Sequence, residues 1–185
     1  MRSIARLTAT FALLALTVSP SMAQERPGLM GDLMRDVTEV EKKIVGLARA
    51  LPEPAYDWRP SKGVRSAGEA LIHVAADNYF LPAAMGTAPP AETGINGKDY
   101  KTVAAYEKRT MTRDQIIAEV EKSFAFLKKS MTDTADAKLD APLEAFGQKM
   151  TNRSLWISTV THLHEHLGQL IAYARSNNVA PPWSK

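Results

Sequence analysis

Three of the four histidines in the chain stand within five residues, as His162, His164 and His166. Imidazole is the commonest metal ligand and moves protons near neutral pH, so the first chemistry to consider is an ion site. A helix advances about 100° per residue, which puts His162 and His166 one turn apart on one flank and His164 about 160° or more from both. Residues at that spacing have Cβ atoms about 5–6 Å apart. Two imidazoles so placed can reach one divalent ion at metal–nitrogen distances of about 2.0–2.1 Å. The fourth histidine, His73, lies about 100° from the centre of its own segment's apolar stripe, with Asp77 one turn later. Three imidazoles from two helices, with positions left open for water or substrate, are the ligand pattern of a catalytic metal site. Asp77 would then be a fourth ligand or a partner that orients an imidazole. The plain alternatives are solvated or core histidines and an ordinary helix carboxylate.

His162-Leu163-His164-Glu165-His166 also matches H-x-x-E-H, the inverted zinc-peptidase signature, which would make Glu165 a general base. That signature draws its meaning from a large α/β context, and nothing in this chain supplies one. Glu165 and Asp77 are therefore the weak catalytic candidates. Arg59 and Arg65 flank the start of the His73 segment, where guanidinium groups could hold an anionic group. Trp58 stands next to Arg59, and Gln169 continues the His162 flank. Arg59, Trp58 and Gln169 are the candidate substrate-binding residues, with packing and surface bridging as the alternative roles.

Four segments repeat apolar residues in steps of three and four and must position these groups. The first runs from about Leu29 to Leu51 and ends before Pro52. The second starts at Ser66, where Ser66 and Glu69 have capping-box spacing, and reaches Pro82. The third starts at Thr112, with Gln115 completing a second capping box, and continues to Met131. The fourth spans about Ser154 to Ser176. No segment alternates long enough to predict a strand. Four amphipathic helices that cover one another's stripes predict an all-α, four-helix bundle. A long crossover, residues 83–111, joins helices 2 and 3, with a short helix expected near Val103–Tyr106. Residues 132–153 form a second long connection. Both are longer than a simple bundle needs and are expected to shape a site.

The chain holds 185 residues with a net charge of +3 and no cysteine. That excludes disulfides, cysteine–zinc and iron–sulfur sites and a thiol nucleophile. The small, evenly spread charge gives no nucleic-acid surface. Residues 1–23 have basic Arg2 and Arg6, a short apolar run at Phe11–Leu16 and small residues at Ser21 and Ala23, the order of a cleaved secretory signal peptide. The apolar run falls short of the ~20 residues that span a membrane. The expectation is a periplasmic or secreted protein that starts at Gln24 (one domain, residues 24–185), with no stable membrane association after cleavage.

His73 within Ala70–Ala75, after Trp58-Arg59-Pro60 and Gly63-Val64-Arg65-Ser66, resembles the DinB superfamily of DinB/YfiT-like metalloenzymes. So does His162 followed by His166-Leu167-Gly168-Gln169-Leu170-Ile171-Ala172-Tyr173. The resemblance covers about Leu29 to Trp183. It implies a four-helix bundle with the long crossover, a divalent metal (nickel or zinc) on His73, His162 and His166, and a homodimer in many members. It also implies a small-molecule substrate, since several relatives transfer low-molecular-weight thiols and others are isomerases or hydrolases. An export signal would separate this chain from a cytoplasmic thiol, which argues against thiol transfer. The function expected is a metal-dependent hydrolase or transferase. The rival is a non-catalytic periplasmic metal-binding or stress-response protein.

Overall fold

Apolar spacing and end signals build the helices in this computed structural model, which describes residues 26–184. The expected signal peptide lies outside these residues. Helix α1 (Leu29–Ala50) buries Val37, Val40, Ile44 and Leu47. It stops because Pro52 holds Leu51 in extended backbone. Helix α2 (Ala67–Ala84) begins at Ser66, whose hydroxyl accepts from the Glu69 amide while the Glu69 carboxylate accepts from the Ser66 amide. A short α3 (Lys101–Glu107) lies inside the crossover, as expected. Helix α4 (Arg113–Asp133) opens on the same reciprocal cap, made by Thr112 and Gln115. Helix α5 (Asn152–Ser176) is capped by the Thr151 hydroxyl. The long helices α1, α2, α4 and α5 form the bundle. Fully buried Phe124, Leu127, Leu155, Trp156 and Leu163 lie in its core. Among the described residues, no helix is long and apolar enough to cross a membrane.

Two features differ from the sequence expectation. The second connection holds a hairpin, β1 (Pro142–Ala145) against β2 (Gln148–Thr151), antiparallel with Leu143 opposite Met150. Four residues per strand are too few for alternation to stand out. Its two-residue turn, Phe146-Gly147, has φ of 54° and 71°. Positive φ at both positions suits an Asn-Gly or Asp-Gly pair, so the sequence carries no recognisable turn signal there.

The second difference concerns α2, which is not amphipathic. Every residue from Ala67 to Pro82 except Glu69 is buried, because the crossover covers the face expected to meet solvent. Gly97 permits that closure: a Cβ there would lie 2.2 Å from the Ala83 carbonyl carbon. A helix surrounded by protein is apolar all round. His73 is therefore buried, at 4% exposure, and not on an open flank.

Candidate metal centre

Helix α2 carries His73 and Asp77, and α5 carries His162 and His166, one turn apart. One nitrogen from each of the three histidines lies within 4.8 Å of the others. Ring centroids are 4.4 Å apart for His162 and His166, 4.7 Å for His73 and His166, and 5.4 Å for His73 and His162. The Nε2 atoms of His162 and His166 stand 3.2 Å apart. Asp77 Oδ2 lies 2.8 Å from His162 Nε2 and 3.4 Å from His73 Nε2.

The other ring nitrogens face outward to acceptors. His73 Nδ1 donates to Glu107 Oε1 at 2.5 Å. His166 Nδ1 donates to Gln169 Oε1 at 2.9 Å. His162 Nδ1 lies 3.6 Å from Glu165 Oε2. At His73 and His166 the bond at Nδ1 fixes the tautomer and leaves the Nε2 lone pair for a ligand, whereas at His162 it is Nε2 that hydrogen-bonds Asp77. The Gln169 amide is itself oriented: its NH2 donates to the Tyr173 hydroxyl, which donates to the Arg65 carbonyl. Glu107 also accepts from Arg65 at 3.2 Å.

Electrostatics separates the two α5 histidines. Burial holds His166 down to about 4, helped by the neighbouring His162 and His73. Burial also disfavours the charged form of His162, but the Asp77 hydrogen bond and the charges of Asp77 and Glu165 outweigh it and raise the group. For Glu107, burial pushes upward, while hydrogen bonds and charge from His73 and Arg65 hold the carboxyl below its usual range.

A family model described as the DinB superfamily matches residues 37–170, well over half of the chain. The chain belongs to the DinB superfamily. A DinB-like protein from Bacillus cereus has a similar structure, with a TM-score of 0.67 at 14% identity over 85% of this chain and 97% of that one. A DinB-like protein from Bacillus subtilis gives a TM-score of 0.61 at 19% identity, over 80% of this chain and 92% of that one. At these identities the likeness shows a shared fold. No curated protein matches the chain.

The residues present fit the divalent ion that the DinB resemblance implies. Three imidazole nitrogens are a donor set suited to a divalent transition-metal ion. Asp77 Oδ1 adds an independent sign: it is the one buried side-chain polar atom without a hydrogen-bond partner among the described residues. A buried carboxylate oxygen without a donor is costly, and a nearby cation would offset that cost.

The remaining candidates separate by position. Glu165 is on the solvent side, its side chain 77% exposed. His164 faces away and contacts Asp36 of α1 at 3.0 Å. Arg59 bonds the Val64 carbonyl and Glu69 at the start of α2. Trp58 packs edge-on against Tyr173, centroids 5.3 Å apart. Arg59 and Trp58 thus buttress the α2 entry, and Gln169 orients His166. Sequence reasoning missed Glu107. No periodicity links a crossover carboxylate to His73; the nearest signal was the short helix expected at Val103–Tyr106, which ends on it.

Proposed function

We propose that this DinB-superfamily protein is exported, binds one divalent ion, nickel or zinc, on His73, His162 and His166, and performs metal-dependent hydrolysis or group transfer on a small molecule. One observation carries the reading: three imidazoles converge while their far nitrogens are held or faced by Glu107, Gln169 and Glu165. Any buried imidazole N–H needs an acceptor, but three rings that converge on one point with such partners behind them have the arrangement of metal-ligating histidines. When bound, the ion would supply Lewis acidity toward a substrate oxygen or a water. The chain's residues do the rest. Glu107 and Gln169 orient the rings, α2 and the crossover keep His73 dry, and the Asp77 carboxylate accepts a hydrogen bond from His162.

Asp77 also favours a second reading. Its Oδ2 lies close to two of the candidate ligand nitrogens. As a fourth protein ligand it would close the site, the arrangement of a non-catalytic metal-binding or stress-response protein.

Calorimetric titration of nickel and zinc into metal-free mature protein tests the site. Wild type should take one equivalent, and His73→Ala, His162→Ala and His166→Ala should each bind far more weakly. Equal binding by wild type and His162→Ala would refute the site. Asp77→Asn separates the readings: a large loss of affinity marks a closing ligand, a small one an open centre. Export is tested by intact mass of the periplasmic fraction, which should begin at Gln24; full-length chain in the cytoplasm would contradict it.

A further inference from the structure

A cavity of about 410 Å³ adjoins the imidazole cluster and is lined in part by Asp77 and His162. Buried Leu81 and Leu155 line it, together with Tyr100 and Phe146, which are 48% and 55% exposed. The two exposed rings are buttressed by a third. Phe80 meets Tyr100 edge-on with centroids 5.2 Å apart, and Phe146 lies 6.0 Å from both.

Turn chemistry does not account for the ring at Phe146. It occupies a hairpin-turn position at φ 54°, where a bulky side chain is a conformational outlier and Asn, Asp or Gly would serve better. Large exposed apolar groups next to a cavity mark a binding surface, and strained residues cluster at ligand sites. Phe146 meets both conditions.

Charge narrows what the cavity accepts. Its carboxylates are Asp77 and Glu165, and among the described residues no Lys or Arg lines it. Burial and the negative charges of Asp77 and Glu107 raise the Tyr100 hydroxyl. Aromatic faces carry negative potential as well, so on the side away from the imidazoles an anionic group is disfavoured.

We propose that this cavity is the substrate pocket of the metal centre and takes a planar aromatic group without negative charge, held against Tyr100 and Phe146 with the reacting group toward His162. The proposal rests on the metal-centre reading, so its test has one arm with metal and one without.

With nickel-loaded protein, benzohydroxamic acid should bind about tenfold or more tighter than acetohydroxamic acid by calorimetry, the gain expected from burying and stacking one ring. In Phe146→Asn that advantage should shrink to a few-fold or less. Asn suits the turn, so this variant should remain folded, which circular dichroism checks. With metal-free protein, saturation-transfer NMR should show contact with benzylamine that weakens in Phe146→Asn, and much less contact with benzoate. Equal affinities for the two hydroxamic acids overturn the proposal while leaving the metal reading intact. So does benzylamine contact indifferent to Phe146→Asn, or benzoate binding as well as benzylamine. Failure to take up nickel, with benzylamine contact still dependent on Phe146, sinks the metal reading and supports the pocket.

Discussion

Replacing Glu107 by alanine tests whether the crossover serves the ligands. His73 is 4% exposed, and its Nδ1–H donates to Glu107, whose side chain is 22% exposed. Hydrogen bonds to a charged partner are worth about 1.5–3 kcal/mol net. Outer partners of metal-bound histidines typically carry about 10–100-fold in affinity, which is about 1.4–2.8 kcal/mol. The contact is also made without the ion, so only its strengthening on binding counts toward affinity, and the second range applies. Glu107→Ala should therefore lower nickel or zinc affinity about 10–100-fold while leaving one site per chain. Glu107→Gln keeps an acceptor oxygen but loses the charge and should fall between. Arg65→Ala removes only the outer contact to Glu107 and should cost a few-fold at most. The assay is calorimetric titration, with circular dichroism to confirm that each variant remains helical. Wild-type affinity in a well-folded Glu107→Ala would refute the idea that this contact prepares His73 as a ligand.

His164→Ala should leave metal stoichiometry and affinity unchanged, because the ring faces Asp36; metal loss on that substitution would show that the α5 register is misassigned. Metal affinity should fall as pH drops, and the fall should begin above 6.5. His162, raised by Asp77, still holds a proton there that the ion must displace. His166, at about 4, is already neutral and releases almost none. Titrations in buffers of different ionisation enthalpy should report greater proton release from His162 at pH 6 than at pH 8, and no difference would contradict the assignment. Ser66→Ala removes the hydroxyl half of the α2 cap. It should cost about 1 kcal/mol, read as a lower melting temperature of the metal-free protein, without changing metal stoichiometry.

The long helices were legible because their signals are local. Apolar steps of three and four, the Ser66–Glu69 and Thr112–Gln115 capping boxes, and Pro52 all act within a few residues. The His162/His166 pair was legible for the same reason, since one helical turn fixes its geometry, and that geometry also excluded His164. The structure places Asp77 beside His162 and His73, within the two roles that its position one turn after His73 suggested. What the sequence hid depends on long-range packing. The crossover buries α2 on the side expected to meet water, and only the fold shows that a loop lies there. Glu107 reaches His73 from 34 residues away. The hairpin stayed unseen because its strands are short and its turn uses Phe146 where turn chemistry favours a small polar residue.

The most direct test of the three-histidine centre is anomalous diffraction from crystals of residues 24–185 grown with nickel, recorded on both sides of the nickel edge. One strong peak should lie about 2.0–2.2 Å from the Nε2 atoms of His73, His162 and His166 together, with Glu107 and Gln169 still on the Nδ1 side. A peak bound through Nδ1, a peak elsewhere on the surface, or no peak among these three rings would contradict it.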